Sequence, residues 1–443
     1  MSAPATPPEA QAEAASSMGL SELSRPWWLQ LHWQILGALL FGSVVGASFG
    51  AAAADAFGWL GTLFIKLLKM VVLPLVLASI VSGVASVGSS TALGRLFAKT
   101  FGYFALSGLL AILTGLVMVN ALEPGRGLDL SRLKAAELPA GVQTPRKISD
   151  LLLAMIPENP VAAAAQADLL AVIVFSILLG ATASGLPPEK LRPFLSFFEG
   201  LFEAVLRLTR LVLRLAPLGV FGLIVRAVAT FGVDAFWTMG RYMGTVAFGL
   251  VVHFLVTLPL LLWIWGRISP RVHYRNLVEP MTIAFSTSSS AATLPATMAA
   301  VEEKCGVSRR ISSFVLPMGA TVNMNGTALY ECAGVLFIAQ ALGIELNWVQ
   351  QGIVVLTALL ASVGAAAIPS AGLVVIFMVL EAVGLRGPAV EALVGFMLAV
   401  DRPLDMFRTV INVLSDTCGA VIVARSEGEN LYTTGSSSKP GKQ

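Results

Sequence analysis

Apolar residues fill this chain in long runs, and the runs differ in how they are interrupted. Eight stretches approach or exceed the roughly 20 apolar residues a helix needs to cross a bilayer: 34–54, 60–87, 100–121, 168–186, 197–229, 235–265, 311–342 and 390–423. Two others, 276–300 and 350–384, are broken by Ser, Gly and Pro. The first contains STSSSAATLP from Ser286 to Pro295, where Pro295 is expected to interrupt the helix ladder. The second contains SVGAAAIPSAG from Ser362 to Gly372. Irregular backbone at membrane depth survives only when it is buried in protein or lines a cavity. The apolar flanks of both breaks are too short to span alone, so two re-entrant helical hairpins are expected, with tips meeting inside the protein. A third break, Asn323-Met324-Asn325-Gly326-Thr327, lies within the 311–342 run. Asn and Gly weaken a helix there and free carbonyls suited to a hard cation such as sodium.

The last run carries charges that lipid should reject. Asp401, Asp405, Arg408, Asn412 and Asp416 recur so that, at about 100° per residue, they share one stripe roughly 80° wide. A charge at the bilayer centre costs about 2.5–3.5 kcal/mol on insertion scales. This face is therefore expected against protein, ions or a polar substrate. Three carboxylates against one aligned Arg leave excess negative charge that calls for cations. Broken helices, hairpins and a polar midplane together are the pattern of a secondary transporter.

Composition supports a lipid environment: of 443 residues, 56% are hydrophobic and 12% charged, where a soluble domain has about 25% charged. The net charge of +3 gives no reason to expect a nucleic-acid partner. Residues 1–24 are polar and rich in Ala, Pro, Glu and Ser, and are expected as a flexible tail. Trp27, Trp28 and Trp33 flank the first run as interfacial anchors do. Arg25 suggests a cytoplasmic N-terminus, and alternation then places Arg95, Lys99, Lys190, Arg192, Arg267, Arg271 and Arg275 on the same side. The Pro-rich stretch 122–165 is expected as an irregular external loop. Cys305, Cys332 and Cys418 fit no metal or disulfide spacing, and His32, His253 and His273 are too dispersed for a metal site. Gly46–Gly50 spells the G-x-S-x-G of hydrolases, but in a membrane run Gly42, Gly46 and Gly50 instead make a small-residue packing face.

STSSSAATLP, GATVNMNGTALYE, SVGAAAIPSAG and DMFRTVINVLSD, in that order, resemble the glutamate/aspartate transporter family. That family includes archaeal aspartate transporters, mammalian excitatory amino-acid transporters and bacterial dicarboxylate symporters. The resemblance is strong over about 276–425 and extends to the earlier spans by layout. It implies an all-α polytopic protein: eight transmembrane helices plus two opposed hairpins, in a homotrimer that works as an elevator. The implied scaffold comprises 25–96 and 122–232, the latter including the external loop. The implied transport region comprises 97–121 and 233–425, followed by a flexible C-terminal tail, 426–443. The resemblance also implies a multi-pass protein of the cell inner (plasma) membrane.

By the same resemblance, Arg408 pairs with the side-chain carboxylate of an acidic substrate, which a planar guanidinium grips bidentately. Asp405 takes the amino group, with Thr409 beside it, and Asn412 takes the α-carboxylate. Thr327 joins the substrate site; Ser288, Ser289 and Ser290 supply the first hairpin tip, and Ile368, Pro369, Ala371 and Gly372 the second. Gly319, Asn323, Asn412 and Asp416 match one sodium site, with Met324 in the same break; Thr321 and Ser362 match a second.

Three departures from the family stand out. Its third sodium site uses an Asp where this chain has Asn325, with Phe104, Ser107 and Gly108 at the third-span positions. Glu331 follows Tyr330 as in the mammalian branch, where a Glu carries a proton. An additional Arg found in the family is replaced by Ser286 and Met406, with Arg402 nearby. The implied activity is symport of L-glutamate and/or L-aspartate driven by sodium and/or protons. It involves binding and gating with no covalent step, so no enzyme activity and no cofactor is expected. A proton-coupled C4-dicarboxylate symporter is the alternative, separated by whether succinate or aspartate competes better. A substrate-gated anion channel is the alternative from another class, separated by current without accumulation. An intramembrane hydrolase would need a His or Lys beside the Ser cluster, and none is there.

Overall fold

The computed structural model describes residues 31–85, 91–128, 153, 156–166, 168–232, 235–364 and 371–432. Among these the chain is helical throughout its regular structure, with no strand. The helices are α1 (Leu31–Ala85), α2 (Thr91–Leu122), α3 (Pro160–Ala165), α4 (Leu169–Ala183), α5 (Pro188–Arg214) and α6 (Ala216–Phe231). Then come α7 (Ala235–Val252), which runs on through two π-helical turns to Gly266, and α8 (Pro270–Asn276). The remainder are α9 (Val278–Thr287), α10 (Ser290–Ala299), α11 (Arg309–Val322), α12 (Asn325–Ala341), α13 (Trp348–Gly364), α14 (Ala371–Ala382) and α15 (Pro388–Ser426).

Length and apolarity suit four segments to crossing a membrane: Trp33–Ala85, Arg95–Leu122, Phe236–Gly266 and Asp401–Ser426. A fifth is α5 with α6, bent by 53°. Their outer faces carry exposed Phe41, Val44, Trp59, Leu211, Leu218 and Trp263, as a lipid-facing surface requires.

Several breaks fall where the sequence pattern did not put them. The first two runs join into one helical stretch whose single non-helical residue is Gly50 (φ 52°), so the chain turns there rather than at 55–59. Gly50 therefore leaves the small-residue packing face; a Cβ on Gly42 would lie 3.1 Å from the Phe221 carbonyl and one on Gly46 2.8 Å from that of Val225. The 197–229 run is two helices, because Pro217 near the start of α6 has no N–H to continue the ladder. The amphipathic α5 buries Phe198, Phe202, Val205, Thr209 and Val212 at helical spacing. Pro295 sits inside α10; the turn falls at Ser288–Ser289, where Ser288 is left-handed (φ 51°). The 311–342 run breaks at Asn323–Met324 as expected. Residues 365–370, with the expected Ile368 and Pro369, lie outside the described residues, as do 1–30, 129–152 and 433–443. Within the expected irregular loop, α3 is a short helix capped by Asn159.

Helix α1 packs mainly on α6, and also on α4 and α5, while α9, α11 and α12 gather on α15. Helix α12 is buried on nearly every side, with Gln340 alone outside its buried set. Cys305, Cys332 and Cys418 are buried and free. Beyond α15 the chain is tied down. Glu427 accepts from Arg95 (2.9 Å) and Lys99, and the bond from Lys99 leads in holding its carboxyl below the usual range. Tyr432 Oη lies 2.6 Å from His273 Nδ1, and burial pushes that imidazole down to about 3, so it is neutral near pH 7. Residues 427–432, expected to begin a flexible tail, thus clamp α2, α8 and α11 to the end of α15.

The α1–α6 contact depends on missing side chains. A Cβ on Gly222 would lie 2.6 Å from Gly61 N and 2.7 Å from the Phe57 carbonyl. Gly222→Val should therefore lower the thermal unfolding midpoint of the detergent-solubilised protein, at a cost of about 1–3 kcal/mol or more. Gly240→Ala, which meets nothing within 4 Å, is the control. A Gly222→Val protein that melts with the wild type would overturn this account.

Candidate functional site

The site is built on α15, whose polar stripe turns inward. Asp401, Asp405, Arg408, Thr409, Asn412, Ser415 and Asp416 are all buried, Arg408 completely at 0% exposure. Arg408 Nη2 donates to Asp401 Oδ1 (2.7 Å) and Asp405 Oδ1 (2.9 Å). Its Cζ sits 3.9 Å from the centre of the Tyr330 ring on α12, within cation–π range. Arg408 Nε and Nη1 have no hydrogen-bond partner among the described residues. Two carboxylates and an aromatic face offset the burial of this cation on one side, and the other side keeps two donors to give. Gly372, at the start of α14, closes on that side: a Cβ there would lie 2.8 Å from Arg408 Nη1. Asp405 is also flanked by Arg402, with Nη1 3.7 Å from its Oδ2. Thr409 Oγ1 is spent on its own helix, donating to the Asp405 carbonyl at 2.8 Å.

The α11–α12 break faces the same stripe one turn further on. Asn412 Oδ1 accepts from the Gly326 N–H (2.8 Å), and its Nδ2 donates to Thr327 Oγ1 (3.3 Å). Asn323 Nδ2 donates to Asp416 Oδ1 (2.9 Å) and Ser415 Oγ (3.0 Å). Asp416 approaches so closely that a Cβ on Gly319 would lie 2.5 Å from its Oδ1, so only glycine fits. Gly319, Asn323, Asn412 and Asp416 are therefore neighbours around one break, with Met324 buried in it. Asp416 is buried there, with the Asn323 amide donating to it.

Other expected residues are placed less directly. The α9–α10 turn comes alongside α15, with the Phe285 and Phe407 rings 5.4 Å apart. Ser288, Ser289 and Ser290 are buried there; Ser288 Oγ has no hydrogen-bond partner among the described residues, and Ser289 caps α10 by accepting from the Ala292 N–H (3.2 Å). Thr321 Oγ1 donates to the Met318 carbonyl (3.1 Å) and Ser362 Oγ to that of Leu359 (2.8 Å), so these hydroxyls are not joined to each other. Ala371 begins α14. Glu331 is fully buried, with neither carboxyl oxygen hydrogen-bonded among the described residues.

Sequence reasoning did not pick out the ring of Tyr330, although it lies three residues after Thr327 on the same helical face. It did place Asn325 and Ser107 at one site through the family resemblance, but it did not add Ser415 or His253 to them. Asn325 Nδ2 donates to Ser415 Oγ (2.7 Å) and lies 3.4 Å from His253 Nε2, while Ser107 Oγ donates to Asn323 Oδ1 (3.4 Å). His253 opens a π-helical turn of α7, a local geometry frequent at functional sites.

Known proteins share this chain along most of its length. A proton/glutamate-aspartate symporter of Escherichia coli is 34% identical over 412 residues, covering 90% of this chain and 93% of that protein. A proton/sodium-glutamate symport protein of Geobacillus stearothermophilus is 33% identical, covering 90% and 95%. A neutral amino acid transporter B(0) of Oryctolagus cuniculus is 36% identical, covering 87% and 76%. Residues 31–426, which hold every element of the site, match the model of the sodium:dicarboxylate symporter family, and the chain belongs to that family.

Proposed function

We propose that this protein is a secondary active symporter of acidic amino acids, L-glutamate and/or L-aspartate, in a multi-pass membrane setting. The observation that carries the substrate class is Arg408: a fully buried guanidinium with Nε and Nη1 unpartnered among the described residues, opposite two aspartates. The donors suit a substrate carboxylate, and Asp405 suits an ammonium. Overall similarity cannot decide the substrate's charge, because a transporter named for neutral amino acids is 36% identical. The charged pair on α15 can decide it.

Asn412 and Thr327 complete the substrate site on this reading, with Thr409, the Ser288–Ser290 turn and Gly372 around it. Sodium goes to the Gly319, Asn323, Asn412 and Asp416 cluster, with Met324 at the break, and a second ion to Thr321 and Ser362. A proton goes to Glu331. The architecture is read as eight spans with two re-entrant hairpins, α9–α10 and α13–α14. The scaffold is 25–96 with 122–232; the transport region is 97–121 with 233–425, moving as an elevator within a homotrimer of the cell inner membrane. Helix α6 packs on both α1 and α15, and so lies where the two regions of this reading meet.

Arg408→Ala should abolish aspartate uptake in proteoliposomes while the protein still elutes as a folded species, and it should relax selectivity toward small neutral amino acids. Losing one partner of a desolvated ion pair costs about 3–5 kcal/mol. Near-normal aspartate affinity in this variant would remove Arg408 from its assigned role.

Aspartate and glutamate should displace bound labelled aspartate far better than succinate or malate. A ligand without an amino group gains nothing from Asp405, whereas an ammonium adds a charge-assisted hydrogen bond to that carboxylate. Succinate competing at similar concentration would favour the dicarboxylate alternative.

Coupling is separable by imposing sodium and pH gradients one at a time. A pH gradient should drive accumulation in the wild type, and uptake by Glu331→Gln should no longer follow pH. Sodium should stimulate both proteins if the Asp416 cluster holds it. A variant with unchanged pH dependence would make Glu331 a structural residue.

A further inference from the structure

Arg402 has no part in the function as proposed so far, yet it stands at the mouth of the site. It precedes Asp405 by three positions, one helical turn, with Nη1 3.7 Å from Asp405 Oδ2. The Asp405 carboxylate is thus shared: Oδ1 receives Arg408 at 2.9 Å and Oδ2 faces Arg402. The two arginines differ in setting. The Arg408 side chain is fully buried, whereas that of Arg402 is 23% exposed. One is enclosed in the site and the other stands at its solvent-accessible edge. With Asp401 also bound to Arg408, the group holds two cations and two anions and is electrically balanced.

We propose that Arg402 is a tethered counter-cation: it neutralises Asp405 whenever the substrate's amino group is absent, and the amino group displaces it on binding. This inference rests on the acidic amino-acid reading of the same site. The physical need is specific to a carrier. A loaded carrier matches Asp405 with the substrate ammonium. An unloaded carrier must return with its aspartate still inside, and a half-matched buried carboxylate costs several kcal/mol as it moves through a low-dielectric interface. Arg402 removes that cost without an ion from solution. Its reach of one helical turn lets it do so by rotamer change alone, with no movement of α15.

The two halves of the cycle are separable. Exchange, with unlabelled aspartate inside the vesicle, uses only loaded carriers. Net uptake into aspartate-free vesicles also needs the unloaded return. In Arg402→Gln, net uptake should fall about tenfold, ~1.4 kcal/mol on the return step, while exchange stays within about twofold of wild type. Arg402→Lys keeps the charge on a flexible stem and should recover most of the net uptake. Retained exchange in the Gln variant also shows that the protein is folded. Net uptake and exchange falling together, or neither changing, would overturn the proposal: Arg402 would be a substrate contact or fold determinant in the first case and a surface pair of little worth in the second. A wild type that performs neither mode would instead refute the acidic amino-acid reading on which the proposal stands.

Discussion

Burying one guanidinium constrains everything around it. Arg408 is wholly enclosed, and a cation there is tolerable only if its charge is met and its donors have acceptors. Asp401 and Asp405 meet the charge from the same helix, one or two turns away, and Tyr330 covers a face of the plane. Those partners dictate the neighbours. Gly326 must lack a side chain, because a Cβ there would lie 2.7 Å from the Arg408 carbonyl. Gly372 must lack one because it abuts Nη1. The break at Asn323–Met324 brings the start of α12 against α15, where the Gly326 N–H can bond Asn412 instead of a helical carbonyl. A polar helix inside the protein, a broken helix beside it and glycines at both contacts are consequences of the same buried charge.

The period-3.6 stripe on α15 was legible because it is local: five polar residues on one face need no knowledge of any other helix. The break at Asn323–Met324 was legible for a similar reason, since Asn and Gly oppose helix wherever they occur. Proline was less informative. Pro295 is accommodated within α10, while the actual turn uses a left-handed Ser288 and an N-cap from Ser289. Pro217 marks a real bend, but the apolar run around it reads as continuous. Gly50, apparently one of three glycines in a packing face, is the kink itself. Hydropathy reports burial or lipid contact and not direction, so bends inside apolar runs escape it.

Pairings between distant residues were the least legible. Tyr330 over Arg408, and His253 and Ser415 around Asn325, join positions about 70–90 residues apart. The family resemblance put Ser107 and Asn325 at one site, but Ser415 and His253 were not linked to it, because no spacing rule joins α7 or α15 to that pair. The clamp made by Glu427, Glu429 and Tyr432 escaped for another reason: a short polar segment after a long helix has the composition of a tail, yet its partners lie on three other elements.

The pattern of buried charge bears directly on ion coupling. Arg408 and Arg402 match Asp401 and Asp405, so these four ask for no ion when the site holds no substrate. Asp416 has no such cation beside it among the described residues: it is buried against the amide of Asn323. Glu331 is buried, with neither carboxyl oxygen hydrogen-bonded among the described residues. Asn325, which the family resemblance puts at a third sodium site, is an amide that donates to Ser415 and lies beside His253, so its side chain brings no negative charge to that corner. On the proposed reading, one unmatched aspartate and one solitary glutamate correspond to one sodium site and one proton site. The second sodium proposed at Thr321 and Ser362 stands apart, because that pair supplies no carboxylate. A site held by carbonyl dipoles alone binds a hard cation more weakly than one with a carboxylate. On the proposed reading the two ions therefore differ in kind: the one at Asp416 answers a buried carboxylate, and the one at Thr321 and Ser362 does not.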